Sequence, residues 1–328
     1  MDVVIRADAY PEIGTGHLMR CLALGQSFKD SGWRVRFVTY CEAAGLLGRL
    51  TSEEGFEVIP LKSKSDNVLP PCRWAIVDGV NFDRRFHKSM KDAGYKLLII
   101  DDMAALDFYH GEFVLNQNLH AHILKYNLSP GTRLLLGTEY ILLRREFIKH
   151  RGVEKLITDK CANVLITLGG ADRENLTRKV LSSIKGLKDI KITVVVGAGN
   201  PNIESIKTVK TAAPVTILQN VTDMAGVMAS QDVAVTSGGT TVWELAFMGV
   251  PSVVGRIAPI EDYLVAGLNS RGVFIDSGWF KTATDDEIRG NLLKLLTHMK
   301  LRKEMSALGR RLVDGFGRDR VIEAMEAT

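Results

Sequence analysis

Residues 163–177 read NVLITLGGADRENLT. An apolar run ends in two glycines, and an amphipathic stretch follows at about 173–185. A buried strand passing through a tight turn into a helix gives this order, and it is the repeating unit of a parallel α/β sheet. The stretch decides the fold because it restarts a pattern that the chain has already completed once.

The first series holds DVVIRA (2–7), RVRFVT (34–39), EVIPL (57–61), WAIVD (74–78), KLLIID (96–101) and FVLNQN (113–118), with helical stretches near 16–30, 42–54 and 84–93. After residue 163 come KITVVVG (191–197), VTIL (215–218), DVAVTSGG (232–239), PSVVG (251–255) and GVFIDSG (272–278), with helices near 222–229 and 241–248. Between the series lies RREFIKHRGVEKLITDKC (144–161), which is charged and lacks a long apolar run. A linker is expected at about 148–161. The spacing predicts an α/β protein of two doubly wound, Rossmann-like domains, at 1–150 and 161–328, facing a central cleft. The second is expected to carry the helical tail from about 285, where Leu292, Leu293, Leu295 and Leu296 set an apolar face.

Composition narrows the function. The 328 residues are 46% hydrophobic and 24% charged, with a formal net charge of +4. Basic and acidic residues are interspersed, which argues against a nucleic-acid surface and suits a small anionic ligand. No apolar run approaches the roughly 18 residues of a membrane span. The first ten residues, MDVVIRADAY, lack the apolar core of a signal peptide. The four cysteines (Cys21, Cys41, Cys72, Cys161) form no CxxC pair, so reduced thiols in a cytoplasmic protein are expected and structural zinc is not.

Ligands of such sheets bind beyond the carboxyl ends of the strands, and the informative residues fall there. IGTGHLMRC (13–21) follows the first strand. Gly14 and Gly16 allow close approach of a ligand to the backbone, but Met19 stands where a dinucleotide fingerprint needs its third glycine. His17, in the first helical turn, is either a general base or a histidine that caps the turn. Asp8 is a candidate to orient its imidazole, or a solvated turn residue. VTSGGTTVWELAFMGVPSVV (235–254) carries the more convincing phosphate turn, Ser237, Gly238, Gly239, Thr240 and Thr241, leading into a helix. Glu244 either accepts the hydroxyls of a ribose or closes a capping box with Thr241. Gly169 and Gly170 offer close approach to a sugar or diphosphate, or form a plain turn with an Asp172-led helix start. Asp78, Asp101 and Asp102 end strands, where they bind sugar hydroxyls, polarise water or serve as ordinary turn residues. His120 and His122 lack a further ligand at metal spacing, so no metal or cofactor is expected.

Four stretches resemble a known family: IRADAYPEIGTGHLMRCLALGQSF, LLGTEYILLRREF, VLITLGGADRENLT and DMAGVMASQDVAVTSGGTTVWELAFMGVPSVV. They are similar to the UDP-2,4-diacetamido-2,4,6-trideoxy-β-L-altropyranose hydrolases of the pseudaminic acid pathway and to related spore-coat polysaccharide proteins. The resemblance implies a GT-B fold, a UDP-sugar substrate and metal-independent hydrolysis of its C1–O bond with inversion. It assigns water activation to His17, and the diphosphate and ribose to the SGGTT turn and Glu244. Arg6, Arg20 and the Gly14 and Gly16 amides are further candidates to stabilise the leaving UDP, Arg20 alternatively pairing with an acidic neighbour. The chain departs from the family on the sugar side, with Val80 in place of a tyrosine and Glu261 and Asp262 in place of a glutamine. The rival readings are a GT-B transferase with an acceptor hydroxyl in place of water, and a non-catalytic nucleotide-sugar binder.

Overall fold

The computed structural model describes residues 1–66, 68–170, 172–197 and 200–328. They form two compact units, Met1–Arg145 with Gly315–Thr328, and Glu146–Asp314.

Unit 1 is built on seven parallel strands: β1 (Asp2–Ala7), β2 (Arg34–Thr39), β3 (Glu57–Pro60), β4 (Trp74–Asp78), β5 (Lys96–Ile100), β6 (Phe113–Asn116) and β7 (Arg133–Leu136). Their order is β3-β2-β1-β4-β5-β6-β7. Successive side chains of a strand point to opposite faces, and both faces here are covered, so the strands read as unbroken apolar runs. Val3, Ile5, Trp74, Ile76 and Leu98 share one core with Leu18 and Leu22 of the helix Gly16–Asp30. Val4, Ala75, Val77, Leu97 and Ile99 face the other, with Phe86 and Met90 of the helix Arg84–Asp92.

Unit 2 has six parallel strands: β8 (Asn163–Thr167), β9 (Lys191–Val196), β10 (Val215–Gln219), β11 (Val233–Ser237), β12 (Ser252–Arg256) and β13 (Ile275–Trp279). Their order is β10-β9-β8-β11-β12-β13. Both sheets therefore reverse direction of winding once, between β1 and β4 in unit 1 and between β8 and β11 in unit 2. At such a switch point the loops leave a crevice beyond the strand ends.

Two expectations need correction. The strand β7 was not anticipated. It is a four-residue edge strand with Arg133 and Leu134 exposed, so it lacks the apolar signature of its buried neighbours. The helical tail does not belong wholly to the second domain, because its last helix, Gly317–Glu326, packs in unit 1. Val321, Ile322 and Met325 join the core under Leu18 and Leu22. Gly317 sets the approach: a Cβ there would stand 2.3 Å from the Ile141 carbonyl oxygen, so only glycine lets the helix start so close.

Candidate functional site

The switch point of unit 1 gathers an ionic array. His17 and Arg20 lie in the first turns of Gly16–Asp30, at i and i+3, and Cys21 follows at i+4, so all three share one helix face. That face meets Asp78, the last residue of β4. His17 Nδ1 lies 2.7 Å from Asp78 Oδ1. Arg20 grips the same carboxylate with two prongs, Nη2 to Oδ1 at 2.7 Å and Nε to Oδ2 at 2.5 Å. The Cys21 thiol donates to Oδ2 at 3.5 Å. An ionised carboxylate offers about four acceptor sites, and these contacts engage both oxygens of Asp78 fully.

The electrostatics follow. Burial opposes charge on Asp78, but Arg20 and then His17 more than offset it and hold the carboxyl far below the usual carboxylate range. Burial also disfavours the Arg20 cation, and Asp102 and Asp78 outweigh it, pushing the guanidinium well above its ordinary value. Burial, then Asp78, pushes the Cys21 thiol up, so it remains a protonated donor. Ionised Asp78 can only accept, so its contact with His17 calls for a hydrogen on Nδ1, with Nε2 as the ring nitrogen on the other side. The His17 side chain is 18% exposed and that of Asp78 0%, so of this pair the imidazole is the one open to a ligand.

This geometry revises several assignments. Asp8 does not orient His17. It is 2% exposed, pairs with Arg6 from its own strand, and accepts the Tyr40 amide at 2.7 Å. Arg6 is fully buried, with its guanidinium carbon 4.6 Å from the centre of the Phe82 ring, so it cannot touch a substrate directly. Asp78 is fully buried and Arg20 nearly so, and both stand behind the His17 imidazole. Gly14 has φ +70° with open space where a side chain would be, and Gly16 begins the helix. His120 Nε2 meets the Asp102 carbonyl at 2.9 Å, a structural contact. Among the described residues no group of three His, Cys, Asp or Glu is gathered as for a metal ion.

In unit 2, Ser237 ends β11 and is buried, Thr240 stands at the cap position, and Thr241 is the first residue of the helix Thr241–Met248. Thr241 and Glu244 therefore lack the cap-to-third-residue spacing of a capping box. Glu244 is half-buried, one turn in. The two glycines differ. The buried Glu261 side chain stands close against Gly238, and its carboxylate accepts the Ile257 amide at 2.7 Å. A Cβ on Gly238 would stand 2.6 Å from Val265 Cγ2 and 2.9 Å from Glu261 Cβ. Gly239 has only Ser237 Oγ nearby, at 4.0 Å. Gly238 thus serves packing, while the amides from Gly239 onward head the helix. Burial pushes the Glu261 carboxyl up, against the amides of Ile257, Ala258 and Gly238. Across the switch point, Gly169 has φ +84° and open space beside it. The carbonyl oxygen of Gly170 stands 2.2 Å from where a Gly197 Cβ would be. Asp172 caps the next helix, accepting the Leu176 and Thr177 amides at 2.8 Å each, so that helix end already holds an anion.

The fold matches solved structures along its whole length. Acinetobacter baumannii MurG aligns over 100% of this chain and 99% of its own, at a TM-score of 0.65 and 15% identity. The model for the glycosyltransferase family 28 C-terminal domain matches residues 163–255. The spore coat polysaccharide biosynthesis protein SpsG of Bacillus subtilis is 25% identical over 99% of this chain and 98% of its own length. The UDP-2,4-diacetamido-2,4,6-trideoxy-β-L-altropyranose hydrolase of Campylobacter jejuni is 28% identical over 63% of this chain and 73% of its own. The chain has the GT-B fold, two Rossmann-like units with parallel sheets. Its sequence is similar to SpsG and to the altropyranose hydrolases.

Proposed function

We propose that the chain is a hydrolase of a UDP-linked amino-deoxy sugar, with His17 as its general base. The observation that carries this reading is the His17–Asp78–Arg20 array at the switch point of unit 1, with its one accessible nitrogen on His17. His17 Nε2 takes a proton from water as the water oxygen bonds to C1 of the sugar. The C1–O bond to the diphosphate breaks and its electron pair leaves with UDP. Asp78 stabilises the imidazolium that forms, as a buried carboxylate behind a histidine base does. In unit 2 the amides of Gly239, Thr240 and Thr241 receive the diphosphate and Glu244 the ribose, with Gly169 admitting the ligand closely. The Campylobacter relative's name supports a di-N-acetylated trideoxy sugar as the particular substrate.

The test is UDP release from a panel of UDP-sugars without any acceptor. Wild type is expected to release UDP and free sugar, and His17→Ala to lose about 10²–10⁴-fold in kcat. Full turnover by His17→Ala would sink the mechanism. Release only with an added acceptor would favour a second reading, a glycosyltransferase, which the family 28 domain match supports.

A further inference from the structure

The array contains a conflict that the base alone does not resolve. Arg20 Nη2 lies 3.2 Å from His17 Nδ1. A guanidinium only donates, so a hydrogen aimed from Nη2 at Nδ1 demands the opposite tautomer, with the imidazole hydrogen on Nε2. In that form the nitrogen turned away from Asp78 has no lone pair and cannot accept a proton. Which tautomer prevails depends on where the guanidinium points.

A second carboxylate settles its direction. Arg20 Nη1 donates to Asp102 Oδ2 at 2.6 Å, while Nε and Nη2 hold Asp78. The planar fork has fixed geometry, so pinning Nη1 at one end fixes the aim of Nη2 at the other. Asp102 follows β5 and is itself held from the β6 side. Asn118 Nδ2 donates to Asp102 Oδ1 at 2.7 Å and to Asn116 Oδ1 at 3.0 Å, and His120 Nε2 reaches the Asp102 carbonyl. The loops after β5 and β6 thus form a rigid abutment against which the Arg20 fork is set.

We infer that Asp102 is a positioning residue for the base: by anchoring Arg20 on Asp78 it keeps the lone pair of His17 on Nε2. The inference rests on the hydrolase reading for its kinetic consequence, but its structural consequence is measurable in the free protein. Loss of the Asp102 charge frees Nη1, the guanidinium pivots, and Nη2 competes for His17 Nδ1.

The experiment uses Asp102→Asn, which keeps the shape and removes the charge. Long-range ¹H–¹⁵N correlation on protein with ¹⁵N-labelled imidazoles, at about pH 8–9 where an ordinary histidine is neutral, distinguishes the two tautomers directly. The His17 signals are assigned by their loss in His17→Gln. Wild type is expected in the Nδ1–H form, and Asp102→Asn to show a new Nε2–H population. On the UDP-sugar that wild type hydrolyses, kcat should fall about 10- to 100-fold with KM within about twofold, since ground-state binding is untouched. An unchanged tautomer in folded Asp102→Asn overturns the inference. So does a raised KM with kcat preserved, which would make Asp102 a substrate contact. If Asp102→Asn fails to fold, Asn118→Ala loosens the same carboxylate and should give a smaller shift in the same direction, and none would overturn the inference. Should wild type hydrolyse no UDP-sugar, the hydrolase reading fails while the tautomer result still decides the role of Asp102.

Discussion

At the scale of single residues, His17 stood out in the sequence and its partner did not. HxxRC places His17, Arg20 and Cys21 on one helix face. Asp8 is the aspartate that the sequence offers as a partner for His17, while Asp78 reads as a residue for sugar hydroxyls, for water or for a turn. Asp8 is claimed by Arg6 and the Tyr40 amide, whereas Asp78 waits at the end of the strand paired with β1, 61 positions from His17. A second buried group carries a prediction. His87, on Arg84–Asp92, has both ring nitrogens buried without a hydrogen-bond partner. Burial holds its pKa down at about 4, with Asp83 pulling the other way and His110 adding to the depression. In the unfolded chain an ordinary histidine titrates near 6.5. The unfolded state therefore binds a proton between about pH 6.5 and 4 that the folded state refuses, and stability falls as pH drops through that window. The loss should reach roughly 3 kcal/mol and level off below it. Urea titrations of wild type and His87→Leu at several pH values check this: the difference should widen on acidification across that window and stay flat above it.

At the scale of elements, the turn after β11 was found from its glycines, but their division of labour was not. The sequence presents Gly238 and Gly239 as equivalent phosphate-binding positions. What separates them is Glu261, which follows β12 and whose side chain packs against Gly238. Asp172 stands at the start of the helix Leu176–Ser183 and accepts its Leu176 amide. In both places a side-chain carboxyl stands where a ligand anion was a candidate. The Asp172-led helix start is already one reading of the sequence, whereas Glu261 reaches Gly238 only in three dimensions. The prediction is a contrast between neighbours. Gly238→Ala drives a methyl into Val265 and Glu261 and should cost about 1–3 kcal/mol of stability. Gly239→Ala meets only open space, so its stability should stay within about 0.5 kcal/mol of wild type. UDP binding, followed by calorimetry, should instead weaken in Gly239→Ala, where the methyl enters the path to the helix amides. Equal stability losses in the two variants would contradict this division.

At the scale of the molecule, two α/β series were legible because strands buried on both faces leave unbroken apolar runs, from DVVIRA to GVFIDSG. The return of the last helix was not. Amphipathic periodicity shows that residues 317–326 own an apolar face, and says nothing about which sheet receives it. The receiving surface is made by Leu18 and Leu22 on one helix and Trp33 after it, all distant in sequence. Trp33 Nε1 also donates to Glu326 Oε1 at 3.2 Å. A chain ending at Asp314 should therefore fail in its first series of strands. Removing Val321, Ile322 and Met325 uncovers apolar surface of Leu18 and Leu22, and each buried aliphatic side chain is worth about 1.5–3 kcal/mol. The total, ~5 kcal/mol, matches the whole stability of many domains. Hydrogen exchange read by mass spectrometry makes the test local. Peptides from β1, β2 and Gly16–Asp30 should lose protection in the truncated chain, while those from β8, β11 and Thr241–Met248 keep theirs. The opposite pattern would place the last helix with the second series after all. His17 and Arg20 ride on Gly16–Asp30, so the same truncation should also abolish UDP release while leaving UDP binding to the turn after β11 measurable.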